Sequence, residues 1–261
     1  MQTTGYAAQS AGSRLAPWTF ERRALRDNDV AIEILYCGVC HSDLHQTRDD
    51  WGRSRFPNAG ITVYSPLKQW KVGPGSRVGV IGIGGLGHLA VRLAAGLGAA
   101  VTVITRSTDK AGEAKALGAE QMLISTDDAA MAGAASSFDM IIDTIPVRHD
   151  IAPYLHLLDV EGVLVIVGLI GDLPAISTVP LILGRRRITG SPSGGIPETQ
   201  ALLDFCAGRG ILPNTETIGI EDIHKAFARM ERGDVRYRFV IDMASMPATC
   251  VQNEGASGAI G

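Results

Sequence analysis

Residues 82–87 read Gly-Ile-Gly-Gly-Leu-Gly, and this hexapeptide constrains the chain more than any other stretch of it. It follows Arg77–Ile81, a short apolar run of the kind that forms a strand buried on both faces, and it opens a helical pattern over 86–98. In that context each glycine has a task. Gly82 permits a tight turn, Gly84 lets a pyrophosphate approach the backbone, and Gly87 allows helix and strand to pack closely. Gly85 and Leu86 complete the turn, which aims the amide groups of the helix N-terminus at the phosphates. A glycine-rich turn with packing duties alone is the competing reading, and a further strand–helix unit directly downstream argues for a dinucleotide site instead.

The beat set by this unit continues. Strands are predicted over Ala100–Thr105, Gln121–Ile124, 140–143, 163–167 and Arg187–Gly190, with helices over 109–117, 147–158 and 197–207. Strands that alternate with helices imply right-handed crossovers and a doubly wound parallel sheet, hence an α/β fold. Upstream, 30–37 reads as a strand running into Gly38, which places Cys40-His41-Ser42-Asp43 just after a strand, and a short helix is predicted over 65–72. Downstream, a helix over 220–231 is ended by Gly233 and a last strand covers 237–242; the Ala/Ser/Gly-rich remainder, 243–261, reads as a frayed tail.

Several function classes are excluded by composition and charge. A formal net charge of −3 offers no basic field for nucleic acid, and Arg185-Arg186-Arg187 is too short a run to supply one. No apolar run reaches the roughly 20 residues that span a bilayer, and the start from Met1 to Arg14 lacks a signal-peptide core. Neither nucleic acid nor membrane is therefore an expected partner, and a cytoplasmic location is expected. Cys37, Cys40, Cys206 and Cys250 are too scattered for a disulfide framework and read as reduced thiols.

The second strand of the dinucleotide unit ends at Thr105-Arg106-Ser107, where an NAD site would carry an acid for the ribose 2′-hydroxyl. No acid stands there. Arg106, Ser107 and Lys110 can instead donate to a 2′-phosphate, so the residues favour NADP(H); Asp109, a turn later, reads as a helix N-cap. The alternative, that these are ordinary exposed polar side chains, stays open at this point.

Six stretches together resemble the zinc-dependent medium-chain alcohol dehydrogenases, specifically their cinnamyl-alcohol-dehydrogenase-like branch. They are 36–45 (Tyr-Cys-Gly-Val-Cys-His-Ser-Asp-Leu-His), 59–67 (Ala-Gly-Ile-Thr-Val-Tyr-Ser-Pro-Leu), 79–88 around the glycine turn, Leu117-Gly118-Ala119, 195–200 (Gly-Ile-Pro-Glu-Thr-Gln) and Arg238–Asp242. The resemblance implies a Rossmann domain over 59–207 and a truncated, β-rich GroES-like catalytic domain built from 1–58, to which 208–242 returns. It implies hydride transfer between NADP(H) and an aldehyde or alcohol, and a homodimer. Carried over position by position, Cys40 matches a ligand of the family's catalytic zinc, His41 an active-site histidine, and Ser42 the hydroxyl that relays the alcohol proton. Thr62 and Ser191 join Gly82, Gly84, Gly85, Leu86, Gly87, Thr105, Arg106, Ser107 and Lys110 as cofactor positions.

The chain departs from this family in one large respect. Similar proteins continue after the region that matches Trp51 through a Gly-His-Glu motif and a four-cysteine lobe, and carry a cysteine just before Ala-Gly-Ile-Thr. Here Phe56-Pro57-Asn58 runs straight into Ala59, so Cys40 is the single family zinc ligand that remains. A catalytic zinc needs about three protein ligands. An ordered zinc is therefore not expected, although Cys37, His41 and His45 lie close enough in sequence to rebuild a site. Three functions stay open: an NADP(H)-dependent alcohol dehydrogenase or aldehyde reductase, a zinc-free quinone or enoyl reductase, and a non-catalytic NADP-binding protein.

Overall fold

A computed structural model describes residues 2–50, 59–168 and 170–246. The chain forms two compact units, one of Met1–Pro57 with Thr215–Gly261, the other of Asn58–Asn214. Among the described residues no helix is long and apolar enough to cross a membrane.

The first unit opens with β1 (Gln2–Ala7) and β2 (Ala16–Glu21), which pair antiparallel. After β3 (Tyr36–Gly38) comes α1 (His41–Arg48). The central unit begins with α2 (Ala59–Gln69) and β4 (Arg77–Ile81), followed by α3 (Gly87–Gly96) and β5 (Ala100–Thr105). Next are α4 (Ala111–Ala116), β6 (Gln121–Ile124), α5 (Asp128–Gly133) and β7 (Phe138–Asp143). They are followed by α6 (Ala152–Leu155), β8 (Leu158–Ile166), α7 (Val179–Gly184), β9 (Arg187–Gly190) and α8 (Ile196–Arg209). The chain then returns to the first unit with β10 (Thr215–Ile218), α9 (Ile223–Glu231) and β11 (Arg238–Asp242).

The central unit is a six-stranded parallel sheet in the order β6-β5-β4-β7-β8-β9, the doubly wound Rossmann arrangement. Its strands are β-branched and apolar because both faces are covered. Ile141 and Ile142 point to opposite faces of β7, yet both are fully buried, as are Val101, Val103, Val78 and Val80. Each such side chain contributes about 1.5–3 kcal/mol of burial. The order reverses between β4 and β7, which opens a crevice at the carboxyl ends of those two strands. At the opposite end, Arg77 opens β4 and holds Asp139 of β7 and Asp159 of β8, at 2.5 and 2.6 Å, which ties three strand starts together.

In the first unit a three-stranded sheet, β10-β11-β3, packs on α9. That helix buries Ile223, Ala226 and Phe227, spaced at one helical face, against Phe239 and Ile241. The first unit also holds the largest difference from the sequence expectation. The strand predicted over 30–37 forms only at Tyr36–Gly38, where β11 supplies a partner; Val30, Ile32, Ile34 and Leu35 are exposed, Val30 at 81% and Ile32 at 80%. A strand needs a neighbour for its backbone groups, and among the described residues 30–35 has no strand beside it.

Other elements also differ from expectation. The helix predicted over 65–72 instead runs over Ala59–Gln69 and passes through Pro66. The helix predicted over 147–158 shrinks to Ala152–Leu155, and the residues after it extend β8 back to Leu158. The hairpin β1–β2, and helices α1, α5 and α7, carry no periodicity strong enough to announce them. The tail expected from 243 opens with a further helical turn at Met243–Ser245, capped by Asp242; residues 247–261 lie outside the described residues.

Candidate functional site

The crevice of the central unit is built from the glycine turn. Gly82 has φ +87°, a left-handed conformation that a side chain would strain, and its amide donates to the Ile104 carbonyl at 3.0 Å. A Cβ at Gly87 would collide with the Gly82 carbonyl, so this close approach of helix to strand requires glycine. A Cβ at Gly84 would meet nothing within 4 Å: it would stand in the open mouth of the crevice. His88, fully buried, donates through Nδ1 to the Gly84 carbonyl at 3.0 Å and the His88 amide donates to the same oxygen, so this oxygen is turned inward. The donor side of the turn is left facing the opening. Such a cradle, at the start of a ten-residue helix, fits a pyrophosphate.

Thr105 ends β5, and beyond it Arg106 and Ser107 are exposed. Lys110 reaches back across the crevice mouth and donates to the Ile83 carbonyl at 3.4 Å, which brings its ammonium group to the glycine turn. The expected N-cap role of Asp109 is corrected: α4 has Lys110 at its N-cap, and Asp109 accepts from the Ser107 hydroxyl at 3.0 Å. Thr62 and Ser191 are both buried, and the Thr62 hydroxyl donates to the Pro192 carbonyl at 3.4 Å, so α2 and the segment after β9 bring these two positions together.

Cys40, His41 and Ser42 lie in the first unit at the start of α1, with Cys40 its N-cap. The Cys40 amide donates to the Asp43 carboxylate at 2.6 Å and its thiol lies 3.8 Å from the Ser42 hydroxyl. The His41 ring is tilted against that of His45, with centroids 5.7 Å apart, and His45 Nδ1 is paired with Asp50 at 2.7 Å. Burial, then the neighbouring His45, pull the His41 imidazole below its ordinary value; burial pushes the Cys37 thiol and the Asp43 carboxyl up. Among the described residues no three His, Cys, Asp or Glu side chains converge as a metal would need, and Asn58 lies outside the described residues. The donor set around Cys40 does not fit a catalytic zinc.

One feature of the crevice was missed by sequence reasoning. Asp143, the last residue of β7, is fully buried, and its Oδ2 lies 3.0 Å from His149 Nε2. The acid at the end of an apolar strand was a visible signal; its partner was hidden in a stretch read as helix.

Comparison with known proteins follows from this geometry. Residues 85–208 match the family model described as zinc-binding dehydrogenase. The chain is 33% identical to a probable cinnamyl alcohol dehydrogenase of Lolium perenne, over 92% of this chain and 94% of that protein. It is also 33% identical to a probable formaldehyde dehydrogenase of Bacillus subtilis, over 94% and 99%. Both alignments, of 341 and 344 positions, are longer than this chain of 261 residues, so a long internal segment of those relatives has no counterpart here. Among solved structures, a cinnamyl alcohol dehydrogenase of Sorghum bicolor superposes with TM-score 0.88 at 30% identity, covering 94% of this chain and 98% of that one. One from Helicobacter pylori, complexed with NADP(H), gives 0.83 at 29% identity, covering 93% and 98%. With its Rossmann sheet, its glycine turn and these relatives, the chain belongs to the zinc-binding dehydrogenase family, among proteins like the cinnamyl alcohol dehydrogenases, with an internal deletion.

Proposed function

We propose that the protein is an NADP(H)-dependent oxidoreductase that interconverts an aldehyde and an alcohol. The observation that carries this reading is the open cradle at Gly84 with Lys110 at its mouth and no acid at the end of β5. The nucleotide held by the Helicobacter relative supports it, as do the alcohol and formaldehyde dehydrogenases among the relatives.

In this reading the bound nicotinamide supplies or accepts the hydride. The amides of 82–87 and the N-terminus of α3 bind the pyrophosphate; Arg106, Ser107 and Lys110 bind the 2′-phosphate, with Thr105, Thr62 and Ser191 in the same cofactor set. The Ser42 hydroxyl carries the proton of the alcohol, and His41, kept neutral by burial, accepts it. No step is routed through zinc, because the donor set around Cys40 does not fit one. That lack favours a second reading, reduction of an activated enone or quinone, whose acceptor needs no Lewis acid. A homodimer completes the proposal, supported by exposed Ile182 and Leu183 on α7, and a cytoplasmic location goes with it as part of the same reading.

The test is cofactor oxidation by purified protein, with aromatic and aliphatic aldehydes in one series and enones and quinones in another. NADPH oxidation with an aldehyde, well above the rate with NADH, is the expected result. Turnover confined to enones or quinones would replace the first reading by the second, and binding without turnover on any acceptor would sink both.

A further inference from the structure

The crevice opposite the glycine turn is walled by the two residues that follow β7. The Thr144 hydroxyl donates to the Ile81 carbonyl at 2.8 Å, and a Cβ on Gly82 would meet Thr144 and Ile145 side-chain atoms at 3.3 and 3.4 Å. Asp143 Oδ1 accepts from the Ile145 amide at 3.1 Å, so this buried carboxylate fixes the wall. Its Oδ2 faces only His149 Nε2, off the straight hydrogen-bond line, and neither atom makes another bond.

The protonation of this contact follows from its partners. His149 Nδ1 lies 2.9 Å from the Val147 carbonyl, an oxygen that can only accept, so Nδ1 carries a hydrogen. If Nε2 bore a lone pair, it would face an ionised carboxylate in a buried site, and the contact would be repulsive. A second proton therefore lies between the two side chains, on the ring as imidazolium or on the acid. Burial pushes the Asp143 carboxyl up, and His149 opposes that shift, as a partner sharing a proton would.

We propose that Asp143 and His149 are positioning residues, a proton-sharing pair that holds the Thr144–Ile145 wall in place for the cofactor; the role rests on the NADP(H) reading above. The surroundings suit it. Tyr154 of α6 meets the His149 ring edge-on with centroids 6.4 Å apart. Arg106 from the end of β5 and Asp150 beside His149 are the further charges felt at Tyr154, and Arg148 adjoins the ring in sequence. The pair thus sits at the end of β7, next in the sheet to β4, which runs into the glycine turn. Loss of the shared proton frees His149 from Asp143, loosens 144–149 and weakens cofactor binding.

The experiment measures NADPH dissociation constants for the wild-type protein and His149→Gln from about pH 5.5 to about pH 8.5, a range that starts above the ordinary carboxylate value. The ligand's own 2′-phosphate titrates alike with both proteins, so the ratio of the two constants isolates the pair. Glutamine donates to Asp143 at every pH. The wild-type advantage should be largest at the acid end and shrink about fivefold or more towards the alkaline end. Asp143→Asn, whose amide donates to a neutral Nε2, should lose the pH dependence as His149→Gln does, and guards against a variant that misfolds. A ratio independent of pH for both variants overturns the role of the pair alone. No NADPH binding by the wild-type protein at any pH overturns the cofactor reading together with it.

Discussion

Gly84 and Lys110 are the two residues on which the cofactor reading turns, and they fail in different ways. Gly84 packs against nothing, so Gly84→Val should leave the fold intact while filling the space a pyrophosphate would take. Affinity for NADPH and NADH should then fall together, by about a hundredfold, or roughly 2.7 kcal/mol. Lys110 meets the cofactor through a charge that only the 2′-phosphate calls for. Lys110→Ala should weaken NADPH by about 1.5–3 kcal/mol, the worth of a charged hydrogen bond, and NADH much less. Isothermal titration of both cofactors checks each variant, and equal losses for Lys110→Ala would remove the 2′-phosphate role. All three glycines could be assigned tasks from spacing alone, because each task is local to a turn. The approach of Lys110 to the Ile83 carbonyl was not legible, since it depends on how α4 is set against the turn.

At the scale of elements, the segment 30–35 is an exposed apolar stretch of the first unit. Val30, Ile32, Ile34 and Leu35 expose apolar surface, and among the described residues no strand pairs with their backbone. An exposed apolar strand edge is a template for another chain. Association beyond the proposed dimer is the expected outcome, through pairing of this exposed segment, and Ile32→Glu should reduce it by placing a charge there. Light scattering across a concentration series checks this. A wild-type protein no larger than a dimer at high concentration, or unchanged association in Ile32→Glu, would sink the argument. The sequence showed the alternation that makes a strand. It could not show that among the described residues no strand stands beside 30–35, because pairing joins residues far apart in the chain.

For the whole molecule, ligand arithmetic decides what the deletion costs. By the resemblance alone, Cys40 is the single matched zinc ligand, and no three donor side chains converge among the described residues. Purified protein should hold well under one equivalent of zinc, and chelators should leave its NADPH affinity unchanged, because the cofactor cradle lies within the central unit. Metal analysis beside a binding titration checks both statements. Stoichiometric zinc, lost together with activity in Cys40→Ser, would restore the metal-dependent mechanism of an ordinary dehydrogenase.

The sequence by itself determined the doubly wound sheet and the place of the glycine turn between β4 and α3. Each of these rests on periodicity or on spacing within a few residues, and neither needs to know what folds against what. Only the tertiary structure decided that 147–151 leaves the helical pattern. Asp143 Oδ1 accepts from the Ile145 amide and its Oδ2 lies 3.0 Å from His149 Nε2 at the end of β7, and α6 is left with only Ala152–Leu155. The physical reason is the burial of Asp143: a carboxylate removed from water must find donors, and which donors reach it is fixed by the packing of the sheet rather than by the order of residues.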